Sequence, residues 1–274
     1  MDNRKVKLSA VVPSPTLVAL PKAVATDGTM RGFILAAGLG TRLRPLTDVL
    51  PKPLVPVAGV PLIDRAVQQL VAANVFEIAV NLYHLGDPIR RWLGDGHQFG
   101  AQVTYFDEAP AILGTGGGVK NAEAFLRTGG PAFLLANGDV WHDFDLAAVR
   151  AAHEPTALAT LVMHRSAHRP ELHTVALRQT EPDRGTVVHI GGRPAQAPCD
   201  FKAIYAGIAV YSTALLDRLP PKGEACLVRQ GLLPGMAAGQ TVGWVEPKGH
   251  WFDCGTRAEV LRASAFALRA RAAT

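Results

Sequence analysis

Cysteine is scarce in this chain of 274 residues, which carries Cys199, Cys226 and Cys254 at wide intervals. An odd number of cysteines at such spacing excludes a disulfide framework and provides no zinc-knuckle pattern. Proteins without disulfides are typical of reducing compartments. We therefore expect a cytoplasmic protein whose stability comes from an apolar core, for which a content of 48% hydrophobic residues is sufficient.

Long apolar runs are also missing from the sequence. No stretch reaches the roughly 18 consecutive apolar residues of a membrane-spanning helix, so no membrane partner is expected. No hexapeptide repeat is present, which argues against a β-helix domain. The first 29 residues contain basic side chains and then Val11-Val12-Pro13-Ser14-Pro15, whose prolines interrupt what would be the apolar centre of a signal peptide. We interpret residues 1–29 as a flexible N-terminal extension, with Met30 as an alternative start.

Acidic residues are too few to balance the basic ones, which leaves a net charge of +5 and a pI of about 9.3. The excess lies at the two ends of the chain. Residues 1–29 hold four basic against two acidic side chains, and residues 257–274 hold four against one, so residues 30–256 are neutral overall. A neutral body is not the basic surface of a nucleic-acid binder, and we expect no nucleic-acid partner.

Alternating strand and helix patterns fill the first half of the chain. Apolar runs predict strands over 33–37, 76–81 and 102–106, and apolar residues at three- and four-residue spacing predict a helix over 62–73. A second helix is expected over 87–93. This order predicts an α/β fold, a Rossmann-like layered domain with a mixed, mainly parallel central sheet. Ligands of such sheets bind at the carboxyl ends of the strands.

The first predicted strand ends in a glycine turn with basic residues nearby. Gly38 and Gly40 allow the main chain to approach a ligand, and successive N–H groups in a turn form an anion site. Arg42 and Lys52 add positive charge, which suits a polyphosphate. A dinucleotide fingerprint would need a third glycine where Leu43 stands, and no Walker motif is present, so a Rossmann oxidoreductase is disfavoured.

The longer string around this turn resembles a known family. The matching segments are Gly38-x-Gly40-Thr41-Arg42-x-x-Pro45-x-Thr47, Pro51-Lys52-Pro53-Leu54 and Gly59-x-Pro61-Leu62-Ile63. They closely resemble the opening of the sugar-1-phosphate nucleotidyltransferases. The resemblance implies that an NTP and a sugar 1-phosphate are the substrates, and that an NDP-sugar and pyrophosphate are the products. It covers about residues 30–265 and implies a nucleotidyltransferase, or GT-A-like, fold.

A second glycine-rich stretch, Leu113-Gly114-Thr115-Gly116-Gly117-Gly118, is predicted to open a helix. A bare main chain at a helix N-terminus can meet an anion or the edge of a base, although a flexible helix entry is the simpler interpretation. In the family that the chain resembles, this loop contacts the nucleoside. The form found here is similar to that of the uridylyltransferases for N-acetylmuramic acid 1-phosphate and of the guanylyltransferases for mannose- or heptose-type phosphates.

Two aspartates follow apolar stretches that are 114 positions apart. Asp139 lies in Asn137-Gly138-Asp139-Val140-Trp141, and Asp253 lies in Trp251-Phe252-Asp253-Cys254-Gly255-Thr256. The resemblance identifies both as the metal ligands of the family, and two carboxylates with phosphates suit Mg²⁺. Without a metal, we expect the two charges to repel each other. A glycosyltransferase is disfavoured, because its Asp-x-Asp motif is not at this strand end.

The resemblance also assigns roles to individual residues. Arg42, Lys52, Asp139 and Asp253 are the catalytic candidates, with Arg42 neutralising the leaving pyrophosphate and Lys52 holding the α-phosphate. The nucleotide-binding candidates are Leu35, Ala36, Ala37, Gly38, Gly40, Thr41, Asn81, Gly114, Thr115, Gly116 and Gly117. The sugar-binding candidates are Asn137, Arg193 and Gly207. Arg193 stands in Gly192-Arg193-Pro194, where the family has a Glu-Lys-Pro triplet, and replaces its lysine.

Three side chains near these motifs have structural interpretations. We expect Asp145 to cap the following helix, Cys254 to be a buried packing thiol rather than a nucleophile, and Asp143 to be a surface residue without a partner. The strand-like segment around Gly207 is expected to bring the main chain close to a ligand.

The chain is thus predicted to have an extension at 1–29 and one nucleotidyltransferase domain at 30–274. Its nucleotide half covers about 30–150 and its sugar half about 151–256, before a C-terminal helix at 257–272. The first interpretation of the substrates is UTP with N-acetylmuramic acid 1-phosphate, and the alternative is GTP with mannose 1-phosphate or heptose 1-phosphate. A non-catalytic regulator that binds nucleotide sugars is the alternative of another class. We expect a monomer or a homodimer.

Overall fold

The computed structural model describes residues 29–165, 172, 174–194 and 197–272. The strands are β1 Arg31–Leu35, β2 Pro56–Val57, β3 Val60–Pro61, β4 Glu77–Leu82, β5 Gln102–Asp107, β6 Ala132–Asn137, β7 Trp141–His142, β8 Ala159–His164, β9 Val175–Glu181, β10 Arg184–Ile190, β11 Phe201–Ser212, β12 Val242–Val245 and β13 Trp251–Phe252. The helices are α1 Leu62–Ala72, α2 Gly86–Leu93, α3 Gly114–Asn121, α4 Glu123–Arg127, α5 Leu146–Ala151, α6 Leu233–Ala237 and α7 Arg257–Ala272. Apart from Thr29, the predicted extension lies outside the described residues.

Among the described residues, nine strands form one sheet in the order β5-β4-β1-β6-β11-β8-β12-β10-β9. The strands β5, β4, β1 and β6 are parallel neighbours. Only β10 and β11 run against the direction of the rest. The expected mixed, mainly parallel sheet is confirmed, and β11 is the antiparallel strand that joins the two halves of the sheet.

Alternate side chains of the central strands enter two apolar layers. On β1, Ile34 packs into the layer beneath α1, α2 and α5, whereas its neighbour Phe33 packs into the layer beneath α3 and α4. Strands that are buried on both faces read as continuous apolar runs, which is why these segments were recognisable from sequence. The sheet is therefore covered by helices on both faces.

Helix α1 begins immediately after Pro61, and its apolar residues recur at three- and four-residue spacing. Asp64 in its first turn favours the positive end of the helix dipole. Asp145 caps α5 as expected, because its carboxylate accepts hydrogen bonds from the amides of Ala147 and Ala148. At the start of α7, the Thr256 hydroxyl accepts from the amide of Glu259, and the Glu259 carboxylate accepts from Arg262.

No helix among the described residues has the length and apolar character needed to cross a membrane. The helix α7 packs by one face on a separate apolar cluster that includes Leu43, Trp141 and Cys254. This cluster lies beside the carboxyl ends of the parallel strands and connects the C-terminal helix to the loops that follow β1 and β6.

Candidate active site

The carboxyl ends of three neighbouring strands meet at one edge of the sheet. Leu35 at the end of β1 is in register with Asn81 of β4 and with Asn137 of β6. The amide of Ala36 donates to Asn81 Oδ1 over 2.7 Å, so Asn81 holds the main chain at the point where β1 ends. Asn81 is buried and therefore has a positioning role at this edge.

The glycine turn after β1 is open on one side and packed on the other. Gly40 has φ +63°, and its carbonyl accepts a 2.8 Å hydrogen bond from the hydroxyl of the buried Thr47. A Cβ at Gly40 would lie 2.9 Å from Thr47 Cγ2. At Gly38, by contrast, a Cβ would meet no atom within 4 Å. The turn is thus fixed by Thr47 and leaves its main chain at Gly38 accessible.

A cavity of about 290 Å³ opens over this edge of the sheet. It is lined by thirteen of the residues predicted from the sequence, namely Leu35, Ala36, Ala37, Gly38, Gly40, Thr41, Arg42, Lys52, Asn81, Gly114, Thr115, Asn137 and Asp139. Pro53, Glu108, Ile112 and Gly255 complete the lining. The structure therefore brings both glycine-rich stretches, which are more than 70 positions apart, to one cavity.

Each candidate metal ligand is paired with a candidate catalytic cation. Lys52 Nζ lies 2.7 Å from Asp139 Oδ2, and the lysine is only 6% exposed. Arg42 Nη1 lies 3.2 Å from Asp253 Oδ2, and the Arg42 side chain is more than half exposed. A Cβ at Gly255 would overlap the Arg42 guanidinium. Each carboxylate thus has its own cation, which offsets the repulsion that we expected between the two charges.

Two short strands connect the segments that carry the aspartates. The two-residue strands β7 and β13 pair antiparallel, with His142 opposite Trp251 and Trp141 opposite Phe252. Asp139 precedes β7 and Asp253 follows β13. We call this pairing the ribbon (Trp141–His142 with Trp251–Phe252). Because the ribbon holds the two segments side by side, it links two carboxylates that no local sequence rule connects.

The candidate ligands for a divalent cation are the carboxylates of Asp139 and Asp253. In the described parts of the chain, no group of three or more His, Cys, Asp or Glu side chains could hold a metal ion. Mg²⁺, however, usually takes one or two carboxylates and completes its shell with substrate phosphates and water. The pair of Asp139 and Asp253 fits a hard cation that arrives with a triphosphate, provided that Lys52 and Arg42 then turn toward phosphate oxygens.

Glu108 is a residue of the cavity that the sequence reasoning missed. It follows β5, is 1% exposed, and accepts hydrogen bonds from the Leu113 amide over 2.7 Å and from Asn81 Nδ2 over 2.6 Å. Burial raises the pKa of its carboxyl, and these two hydrogen bonds partly oppose the rise. The available signal was its position, since a carboxylate directly after a parallel strand resembles Asp139 after β6.

The predicted sugar-binding residues are placed differently from one another. Gly207 on β11 has φ +77°, and a Cβ there would lie 2.5 Å from Nδ2 of the Asn137 side chain. Its neighbour Ala206 accepts a 2.9 Å hydrogen bond from the Trp251 indole. Gly207 thus packs beneath Asn137, which lines the cavity. Arg193 is exposed in the turn after β10, where it pairs with Ile190 through the main chain, and it does not line the cavity.

Gly116 and Gly117 also lie outside the cavity lining, within the first turn of α3. Their amides donate to the carbonyl of Ala225 over 2.8 and 3.3 Å. Gly114 and Thr115 of the glycine-rich loop therefore line the cavity. The amides of the next two glycines are hydrogen-bonded to the main chain of Ala225 instead.

Two nearby interpretations have different outcomes. Cys254 is fully buried in the cluster beneath α7, and burial raises the pKa of its thiol to about 12, so a packing role is confirmed. Asp143 was expected to have no partner, which was wrong. Its carboxylate accepts from the His250 amide over 2.5 Å and lies 3.1 Å from His250 Nδ1, which ties together the chain on either side of the ribbon.

The profile of the nucleotidyl transferase family matches residues 31–270, which is nearly all of the described chain. The chain belongs to this family. It is therefore a sugar-1-phosphate nucleotidyltransferase, an enzyme of nucleotide-sugar biosynthesis whose substrates are an NTP and a sugar 1-phosphate. The family generally depends on a divalent metal.

Two of its relatives represent the two branches expected from the glycine-rich loop. The chain is 33% identical over 242 residues to N-acetylmuramate alpha-1-phosphate uridylyltransferase of Neisseria meningitidis serogroup B, covering 87% of this chain and 98% of that protein. It is 32% identical over 240 residues to mannose-1-phosphate guanylyltransferase of Mycobacterium tuberculosis, covering 86% of this chain and 64% of that protein. The chain thus spans the uridylyltransferase almost completely and about two thirds of the guanylyltransferase.

Solved structures agree on the fold. A putative glucose-1-phosphate thymidylyltransferase from Bacillus anthracis superposes with a TM-score of 0.69 at 25% identity, over 87% of this chain and 95% of the other. A UDP-glucose pyrophosphorylase in complex with UDP-glucose gives a TM-score of 0.71 at 17% identity, over 88% and 99%. The predicted nucleotidyltransferase fold is confirmed.

Proposed function

We propose that this enzyme condenses UTP with N-acetylmuramic acid 1-phosphate to give the corresponding UDP-sugar and pyrophosphate. The observation that carries the choice is the extent of the match, because the chain spans 98% of the Neisseria uridylyltransferase at 33% identity. GTP with mannose 1-phosphate, or with heptose 1-phosphate, is the second candidate. The pair of GTP and mannose 1-phosphate is supported by the similar identity to the Mycobacterium guanylyltransferase. The chain spans a smaller share of that protein than of the uridylyltransferase.

The cavity has the parts that an in-line attack on the α-phosphorus requires. In our proposal the open main chain at Gly38–Thr41 donates hydrogen bonds to the triphosphate, and Gly114 and Asn81 lie where the nucleoside binds. Positioning and charge neutralisation supply most of the catalysis in such phosphoryl-type transfers. Asn137 with Gly207 beneath it then contributes to the sugar side of the same cavity.

Charged side chains have separate roles in this proposal. Lys52, which is buried, holds the α-phosphate and the incoming phosphate, and Arg42, whose side chain is more than half exposed, neutralises the leaving pyrophosphate. Asp139 and Asp253 would hold Mg²⁺. Mg²⁺ held there would neutralise phosphate charge, and its bonds to the two carboxylates would compete with their ion pairs to Lys52 and Arg42.

Arg193 was expected to replace the sugar-phosphate lysine of the family. Its exposed position in the turn after β10 does not support a contact in the present arrangement of the cavity. A contact between Arg193 and the sugar phosphate therefore requires this turn to approach the cavity when substrate binds. An Arg193→Ala enzyme with an unchanged KM for the sugar phosphate would show that Arg193 does not bind the sugar phosphate.

A matrix of substrates tests the proposal. UTP, GTP, dTTP and ATP are each incubated with N-acetylmuramic acid, mannose and glucose 1-phosphates, and pyrophosphate release is measured with Asp253→Asn as the background control. We expect the highest kcat/KM for UTP with N-acetylmuramic acid 1-phosphate. Highest activity with GTP and mannose 1-phosphate selects the second candidate, and turnover confined to dTTP and glucose 1-phosphate contradicts both. Nucleotide binding without any pyrophosphate release indicates the regulator.

Location and assembly are part of the same proposal. The described cysteines Cys199, Cys226 and Cys254 are free thiols, which supports a reducing, cytoplasmic location. We propose a monomer or a homodimer, and light scattering coupled to size-exclusion chromatography distinguishes the two.

A further inference from the structure

A segment from the second half of the chain lies against the glycine-rich loop. We call it the strap (Gly223–Leu227). The Ala225 amide donates to the Leu113 carbonyl over 2.9 Å, and the Ala225 carbonyl accepts from the Gly116 amide over 2.8 Å. These reciprocal hydrogen bonds resemble one rung of a sheet. They join residues more than 100 positions apart in the chain.

The strap explains why the loop needs its glycines. A Cβ at Gly114 would lie 2.7 Å from the Ala225 carbonyl oxygen, and a Cβ at Gly117 would lie 2.6 Å from the Gly223 carbonyl oxygen. Real Cβ atoms do not approach backbone atoms this closely, so either side chain would displace the strap. Glycine is needed at positions 114 and 117 because backbone atoms of the strap occupy the space that a Cβ would take.

The hydroxyl of Thr115 is engaged by the strap. Its Oγ1 accepts a 3.0 Å hydrogen bond from the Leu227 amide. Burial alone would raise the pKa of the Cys226 thiol, but hydrogen bonds, led by those from the Arg229 and Val228 amides, outweigh burial and lower it. The strap thus occupies an acceptor position of the Thr115 hydroxyl.

Gln230 binds the strap at the Cys226 amide. Its Oε1 accepts from that amide over 2.8 Å, and it lies on the π-helical turn Leu227–Leu232. Gln230 is not part of the cavity lining. Two adjacent amides of the strap, those of Cys226 and Leu227, therefore bind Gln230 and the cavity-lining Thr115, respectively.

We propose that the strap and Gln230 are positioning elements that set the conformation of Gly114 and Thr115, and that the Thr115 side chain binds the strap rather than the nucleoside. Nucleotide affinity then depends on residues of the second half of the chain. The inference depends on the proposed function only in taking an NTP as the ligand of the cavity.

Paired variants test the inference. Gln230→Ala removes the acceptor for the Cys226 amide, and Gln230→Glu keeps an acceptor oxygen at the same reach. Thr115→Val removes the hydroxyl at nearly constant shape, and Thr115→Ser keeps it. Dissociation constants for UTP and for GTP are measured by calorimetry, together with kcat and with KM for the sugar phosphate. Exchange of backbone amides with deuterium is followed in a peptide covering 113–118 of the free enzyme.

We expect Gln230→Ala and Thr115→Val each to weaken nucleotide binding by about 3- to 10-fold, as the loss of one hydrogen bond does. The KM for the sugar phosphate should stay constant, and Glu at 230 and Ser at 115 should restore wild-type binding. The loss of nucleotide affinity in the double variant should be smaller than the product of the two single losses, because both residues act through the strap. Exchange in 113–118 should accelerate in both single variants.

Two results would overturn the inference. Unchanged exchange in the 113–118 peptide of Gln230→Ala shows that the strap does not position the loop. Loss of nucleotide binding in Thr115→Val with none in Gln230→Ala shows that Thr115 contacts the nucleoside itself. If the wild type binds neither nucleotide, the proposed function fails, and the exchange measurement on the free enzyme still decides the role of the strap.

Discussion

The two glycine-rich turns of this enzyme have similar sequences and different surroundings. In the turn after β1, Gly38 has open space on the side where a Cβ would project. In the turn that begins α3, a Cβ at Gly114, Gly116 or Gly117 would come within 3.0 Å of backbone atoms of the strap. Glycine enrichment at a strand end therefore signals either access for a ligand or close packing of another backbone. The residues within each turn do not tell which.

The charges around the two turns differ as well. Beside the first turn lie two ion pairs, Arg42 with Asp253 and Lys52 with Asp139. The second turn is held by main-chain hydrogen bonds and by the hydroxyl of Thr115. Substitutions near the first turn should consequently act on the rate of reaction, and substitutions in the second should act on stability and on binding.

The largest effect is expected from the carboxylates beside the first turn. Asp139→Asn and Asp253→Asn should each reduce metal-dependent pyrophosphate release to background, because each removes a charge that the proposed site needs. The double variant should be little worse than either single variant, since residues that act as a unit are not additive. Initial rates at saturating substrate with a titration of Mg²⁺ provide the measurement.

Thermal unfolding is the control for these variants. Asp139→Asn leaves the ammonium of the buried Lys52 without its partner, so its Tm should fall more than that of Asp253→Asn, whose partner Arg42 is exposed. Full activity of either variant would contradict a shared cation.

A smaller effect is expected at Arg42. Arg42→Ala should lower kcat by about 10²–10³-fold, which is the usual consequence of removing one preorganised charge contact. The dissociation constant for the NTP should change much less, because the contact strengthens as pyrophosphate departs. Single-turnover rates measured beside calorimetric binding separate the two quantities. A rate within a few-fold of wild type would remove Arg42 from the mechanism.

The smallest effect, and the sharpest test of the comparison, is expected from a methyl group in the second turn. Gly117→Ala should destabilise the fold by about 1–3 kcal/mol through overpacking against Gly223 and Leu113. For a domain of this size that lowers Tm by about 2–4 °C per kcal/mol. Differential scanning calorimetry provides the measurement.

Gly38→Ala is the matched control, because its methyl group meets no atom within 4 Å. Its Tm should equal that of the wild type, while its KM for the NTP should rise if phosphate approaches the main chain there. Equal loss of Tm in both alanine variants would show that the two turns do not differ in packing.

Much of the fold was readable from local patterns. The strands β1, β4 and β5 and the helix α1 were predicted within a few residues. A strand buried on both faces has a continuous apolar run, and a helix buried on one face has apolar residues at three- to four-residue spacing. The cavity-lining residues of the first turn were predicted by motif. The ion pairs were not, since Arg42 and Asp253 are 211 positions apart and their contact depends on tertiary structure.

Glu108, the strap and the partner of Asp143 escaped prediction for a related reason. Each depends on a contact between segments that are distant in the chain. The type of a residue in a loop does not indicate which distant residue it will contact. The sequence likewise contains no sign that Ala225 accepts from the amides of Gly116 and Gly117, the two glycines that the resemblance assigns to the nucleoside.

The ribbon has a consequence for the order in which the enzyme is made. Proteins emerge from the ribosome starting at the N-terminus. The parallel strands, the first glycine turn and Asp139 are present once β6 has emerged, but β13 and Asp253 belong to residues 251–253. A nascent chain at that stage contains the glycine turn, Lys52 and Asp139 but lacks one carboxylate and the partner of Arg42. With the roles proposed above, we expect catalytic competence only after the second strand of the ribbon has emerged and paired with the first.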